Sequence, residues 1–158
     1  MRGRPLLLAA LLCACAYTPP REPFRAGEAF TLTGTTRGGV ALERTYRLAG
    51  SGRLAADGHW EYVADGRVSG VSGVLAGPGE TLVALVDGSE ALGTRPDATV
   101  TACVVAPAGP GWRSAEGLLA QGPPAALMTL AQGLKWSARL DTLRGVLGDT
   151  GTCTLTRS

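Results

Sequence analysis

The chain has 158 residues, of which 45% are apolar and 18% charged, enough apolar material to bury one core and too much for a disordered polymer. Its 15 basic and 13 acidic residues leave a formal charge of +2 with no basic stripe, which excludes a nucleic-acid surface built on clustered cations. Asn and Ile are absent and Lys135 is the only lysine, a skew toward GC-rich codons, so the abundance of Arg, Ala and Gly carries no functional weight.

Met1-Arg2-Gly3-Arg4 is a short basic start, and Pro5 opens the apolar run Leu6–Leu12. That run falls well short of the roughly 20 apolar residues a spanning helix needs, and its small-residue flank reads as a secretory signal peptide. Arg2 and Arg4 are not adjacent, so nothing supports the twin-arginine route. The following Leu11-Leu12-Cys13-Ala14-Cys15 resembles the lipobox of bacterial lipoproteins, in which aliphatic residues and a small residue precede the cysteine that receives lipid. The resemblance implies cleavage before Cys15, acylation of its thiol and a membrane contact through the lipid. Ala16 in the next position, rather than Asp, is similar to lipoproteins sorted to an outer membrane where the cell has one. The competing reading cuts Ala14-Cys15-Ala16 as an A-x-A site and releases a soluble protein that starts at Tyr17.

Loss of residues 1–14 removes Arg2 and Arg4 and leaves thirteen basic against thirteen acidic side chains, so the mature chain is neutral. Residues 15–27 carry three prolines and no apolar period, and read as a tether able to reach roughly 35 Å in extended form, with packing of part of it on the domain through Phe24 as the alternative. Residues 28–158 form a single β-rich domain. With Cys13 discarded and Cys15 lipidated, its Cys103 and Cys153 are the two cysteines left, and such a pair in an exported domain is expected as a disulfide. His59 is the only histidine, so the Cys/His ligands of a zinc site cannot be assembled, and no metal or cofactor is expected.

From Phe30 to Pro107 the apolar pattern has period two. Phe30 and Leu32 alternate with Thr31 and Thr33, and Val40, Leu42, Tyr46 and Leu48 share a face. Arg44 falls on that apolar face by parity, which predicts a bulge or strand end beside it. Asp57-Gly58 and Asp65-Gly66 are tight-turn dipeptides around a strand in which Trp60 and Tyr62 point one way and His59 and Glu61 the other. Leu82–Val86 is continuously apolar up to Asp87-Gly88, as in a central strand covered on both faces. Ala98–Ala106 is a further strand. Ser114–Gln121 and Ala125–Gln132 are rich in Ala and Leu and predict two short helices. Leu134, Trp136, Ala138 and Leu140 then alternate with polar residues as an amphipathic strand, and Cys153 and Leu155 alternate with threonines in the last one. Thr31-Leu32-Thr33 and Thr154-Leu155-Thr156 look alike, which hints that first and last strands pair. The fold class is therefore mainly β, an antiparallel sandwich or barrel with a short helical insert near the C-terminal third.

Catalytic motifs are missing. No serine sits in Gly-x-Ser-x-Gly, and neither a phosphate loop nor a dinucleotide fingerprint is present. His59 and Glu61 form the one acid/base pair at strand spacing, with no nucleophile beside them, and a solvent-facing pair is the simpler expectation. Trp60, Tyr62 and Trp136 fall on inferred inward faces. They are expected to fill the core, with an apolar ligand pocket as the alternative. The chain thus reads as a non-enzymatic envelope lipoprotein acting as an interaction or structural module. Its alternatives are a carrier of small apolar ligands and an envelope enzyme, and neither a protein partner nor a ligand can be named.

Overall fold

Strands joined in sequence by short turns pair with their neighbours, and the computed structural model shows that arrangement closed on itself. It describes residues 18–92, 98–125, 136, 138–147 and 150–158, with the side chains of 146 and 147 outside the description. The strands are β1 (Ala29–Thr35), β2 (Ala41–Leu48), β3 (Arg53–Leu54), β4 (Trp60–Asp65), β5 (Ser72–Ala76), β6 (Val83–Asp87), β7 (Val100–Val105), β8 (Ser114–Gly122) and β9 (Gly151–Arg157), with helix α1 (Leu140–Leu147) between the last two. All pairings are antiparallel, in a meander closed by β1 against β9 and by β2 against β4. The two-residue β3 lies along β4 beyond the end of β2, and the other eight strands form the barrel. Closure removes the free sheet edges that an open sheet would expose. The similar triplets of the first and last strands do face each other, Thr31 opposite Thr156, Leu32 opposite Leu155 and Thr33 opposite Thr154.

Alternation fills the barrel. Phe30, Leu32, Tyr46, Leu48, Tyr62, Val74, Leu85, Val105, Leu119 and Leu155 are among the side chains buried in one interior cluster. Cys103 on β7 and Cys153 on β9 are bonded across the inner face of β8, with Cα atoms 6.1 Å apart. Two strand spacings of about 4.8 Å would put them farther apart in a flat sheet, so the wall is sharply coiled here. Gly117, which pairs with Cys153, makes that coil accessible, because a Cβ there would meet the Val104 carbonyl oxygen. A second, smaller cluster lies on the outer wall, where Leu82, Ala84, Val104 and Leu118 are covered by Trp136 and by Leu143 of α1.

That outer cover explains the misread elements. Ser114–Gln121 is strand β8 rather than a helix: Leu118 and Ala120 are buried as well as Leu119, so the alternation vanishes from the sequence. The amphipathic strand expected at 134–141 does not form at its described positions. Trp136 lies in a turn and Leu140 opens α1, where Leu140, Leu143 and Leu147 recur at helical spacing. The helix expected at 125–132 falls almost wholly outside the described residues. No bulge lies at Arg44, since β2 pairs with β1 without interruption through Leu32 opposite Arg44. Its guanidinium points into the barrel and is paired there.

The two ends of the barrel differ. One end, the mouth, carries the turns at 49–52, 55–59, 77–82 and 106–113 and both ends of the barrel chain. The opposite, distal end carries the turns at 36–40 and 66–71 and the segment after Asp87. Phe24, in the stretch read as tether, is fully buried in the mouth against Phe30, Tyr62 and Trp112. Its amide donates to the Tyr62 hydroxyl at 3.2 Å, and the Gly52 amide donates to Glu22 at 2.5 Å. The chain is therefore docked from Glu22 onward. Among the described residues no helix is long and apolar enough to cross a membrane.

Candidate functional site

The mouth holds a cleft of about 1050 Å³ between the docked N-terminal segment and the turns at 77–80 and 110–111. Phe24 and the half-buried Trp60 supply its apolar wall, and Glu80 and Arg157 its charged floor. Glu80 is the one described non-glycine residue with a left-handed backbone, φ 57°, and only 6% of it is exposed. Such a conformation costs a non-glycine residue about 1–3 kcal/mol and persists only where its surroundings hold it. Here the Trp112 indole donates to the Glu80 carboxylate at 2.7 Å, and Arg157 lies 3.7 Å away. Burial pushes the Glu80 carboxyl up, with the indole and Arg157 opposing it.

Arg157 ties the mouth together. It donates to Glu28 at 2.7 and 2.9 Å and to the Pro23 carbonyl at 3.2 Å, and its guanidinium stands over the Phe24 ring at 4.8 Å. Its Nη1 is buried with no hydrogen-bond acceptor among the described residues. Strained backbone, a buried acid pushed up and a buried cation in one cleft are the features that recur at binding sites.

A second polar cluster closes the distal end. The fully buried Asp87 accepts from Arg44 at 2.8 Å, Tyr46 at 2.5 Å and Ser72 at 3.1 Å, and from the Ser89 amide at 2.9 Å. Burial works against the Asp87 carboxylate, but the bonds from Tyr46, Ser89 and Arg44 outweigh it and hold Asp87 at about 2. Arg44 also reaches Glu90, which Arg67 meets from the neighbouring turn. Both Asp87 carboxylate oxygens have donors, so the cluster fastens the end of the barrel, and the Ser89 hydroxyl is its one buried polar atom without a partner among the described residues. Around it Val40, Val68 and Leu92 stand exposed on three separate turns.

The sequence-predicted residues are distributed among these regions. Tyr62 is an interior residue, Trp60 lies on the cleft wall, and Trp136 sits apart from both on the outer wall, so the three do not meet in one pocket. His59 and Glu61 do meet, Nε2 to Oε1 at 3.1 Å. Asp57 takes the other ring nitrogen and accepts the Trp136 indole N–H at 3.1 Å, while Trp136 stacks on the imidazole at 4.8 Å. The bond to His59 holds the Asp57 carboxyl below its usual value. With both ring nitrogens occupied by Asp57 and Glu61, His59 joins the outer Trp136 to the β3–β4 hairpin. Among the described residues no group of three or more His, Cys, Asp or Glu side chains is arranged to hold a metal ion. Cys15 lies outside the described residues.

Of the two readings of the proline-rich stretch, the structure shows the one in which it packs on the domain through Phe24, whereas Glu80, Trp112 and Arg157 were passed over in the sequence. The mouth is assembled from the N-terminal segment, two turns and the final strand, with no local motif to mark it. No protein-family description matches the chain, and neither a curated protein nor a solved structure matches it.

Proposed function

We propose that this chain is a lipid-anchored envelope protein whose barrel is a non-enzymatic binding module, taking its partner at the mouth and not in the interior. One observation carries this reading: the interior is filled by large buried side chains, and the 1050 Å³ cleft lies outside that core, at the end where the N-terminal segment docks. A close-packed interior offers a ligand no room without repacking, whereas the cleft is already open and carries both apolar and charged groups. The lipobox resemblance supplies the anchor, and Cys15 lies only five residues before Pro20, the first residue lining the cleft.

Photo-cross-linking residues placed one at a time at Ser51, Ala26, Val40 and Val68 in cells producing the intact protein test the reading. Ser51 and Ala26 line the mouth, and both should give discrete adducts that Val40 and Val68 do not give. Adducts confined to the distal positions would overturn it. The carrier reading keeps one specific observation in its favour: Phe24 belongs to no strand, so its withdrawal would open the space beside Phe30, Tyr62 and Trp112. Saturable uptake of an apolar fluorescent probe by the wild-type protein would favour that carrier.

A further inference from the structure

The docked segment shortens the reach of the protein from its membrane. Read as free chain, residues 16–27 would hold the domain roughly 35 Å away. With the chain fixed from Glu22 and Pro20 already lining the cleft, the stretch from Cys15 to Pro20 spans at most about 18 Å. An acylated Cys15 therefore keeps the mouth within about 18 Å of the bilayer surface and makes it the end nearer the membrane.

The rim suits that position. The acids of the cleft point inward to bound donors: Glu22 to the Gly52 amide, Glu28 to Arg157 and the Arg25 amide, and Glu80 to the Trp112 indole. Arg21 and Arg25 are exposed on the rim, and among the described residues neither guanidinium has an ion-pair partner. Arg21 and Arg25 therefore offer a phosphate two exposed guanidiniums at the rim, while Glu22, Glu28 and Glu80 are engaged by donors of the protein. Guanidinium forks match phosphate oxygens in geometry as well as charge. The half-buried Trp60 beside them has the amphipathic ring that favours the headgroup layer.

We propose that the mouth is a membrane-docking surface on which Arg21 and Arg25 bind the phosphates of anionic phospholipid headgroups. The proposal rests on the lipid-anchored reading above and names the occupant of the same cleft. The test is hydrogen exchange on the lipidated, full-length protein in phosphatidylcholine vesicles with and without phosphatidylglycerol. Two basic residues near an anionic surface strengthen contact by about thirtyfold, so amides at 20–28, 77–80 and 110–111 should slow by at least about tenfold when phosphatidylglycerol is present. High salt should undo the effect, and the double variant Arg21→Ala/Arg25→Ala should abolish it. Equal exchange in both vesicle types overturns the proposal, as does protection that survives the double substitution or moves to the turns at 36–40 and 66–71. If Ser51 and Ala26 cross-link a protein while exchange ignores lipid composition, the binding module stands and the headgroup contact falls. Failure of both experiments removes both.

Discussion

Phe24→Ala is the perturbation that separates a docked segment from a free tether. The ring has no exposed surface and lies 5.0 Å from Phe30, 5.3 Å from Tyr62 and 6.4 Å from Trp112 between ring centres, with the Arg157 guanidinium at 4.8 Å. Truncating a buried phenylalanine costs about 3–5 kcal/mol through lost burial and the cavity left behind. The loss falls first on the docking of residues 20–28, which few backbone bonds hold in place. Once that segment leaves, Tyr62 loses the Phe24 amide and Arg157 loses both the Pro23 carbonyl and the ring beneath it. Urea unfolding of the variant should therefore show a midpoint lowered by the equivalent of about 3 kcal/mol. Trypsin should cut after Arg21 and Arg25 well before the rest of the domain, whereas Phe24→Leu should retain most of the protection. A Phe24→Ala protein within about 0.5 kcal/mol of the parent, the usual range for a surface change, and cut no faster, would show that the ring is not an anchor.

Asp87 is held at about 2 against an ordinary 3.8, so the native state binds its proton less readily than the unfolded chain. The pair of values contributes about 2 kcal/mol of stability that is fully present above pH 4 and is lost as the pH falls toward about 2; Asp87→Asn should lower stability at neutral pH and flatten that acid limb in pH-dependent unfolding. Glu80, pushed up by burial, works in the opposite sense: the native state holds its proton more tightly, so Glu80→Gln should make unfolding less sensitive to rising pH through the carboxylate range. Reducing the Cys103–Cys153 bond should cost about 4 kcal/mol in the chain-entropy account and leave membrane attachment unchanged, and thiol labelling of the unfolded, non-reduced protein should find neither cysteine free. Cys15→Ala should block processing or move the protein out of the membrane fraction, and an unmodified mature chain starting at Tyr17 in a mass spectrum would refute the anchor.

The barrel was legible where one wall face is wet. Period two in β1, β2 and β4 places Phe30, Leu32, Tyr46, Leu48 and Tyr62 inside, as the alternation predicts. It failed where the outer wall is covered, because β8 buries consecutive residues 118–120 and looks helical. Arg44 shows a different limit. Parity put it on the inner face, but its partner Asp87 is forty-three residues away in a turn-like Asp-Gly, so a bulge looked more economical than a buried ion pair. The disulfide was legible by elimination among four cysteines. The mouth was legible only at Phe24, whose packing on the domain was the alternative to a free tether, because Glu80, Trp112 and Arg157 come from three further places in the chain with no local motif to join them.

The central claim, a barrel held mouth-first at the membrane, is tested most directly by depth. A fluorophore at Ser51 in the mouth or at Val40 on the distal turn can be read against nitroxide-labelled lipid headgroups in vesicles carrying the lipidated protein. The two sites are separated by the length of a seven-residue strand, about 23 Å, well beyond contact quenching. Strong quenching at Ser51 with little at Val40 is the predicted result. Equal quenching at both, or quenching at Val40 alone, would contradict it.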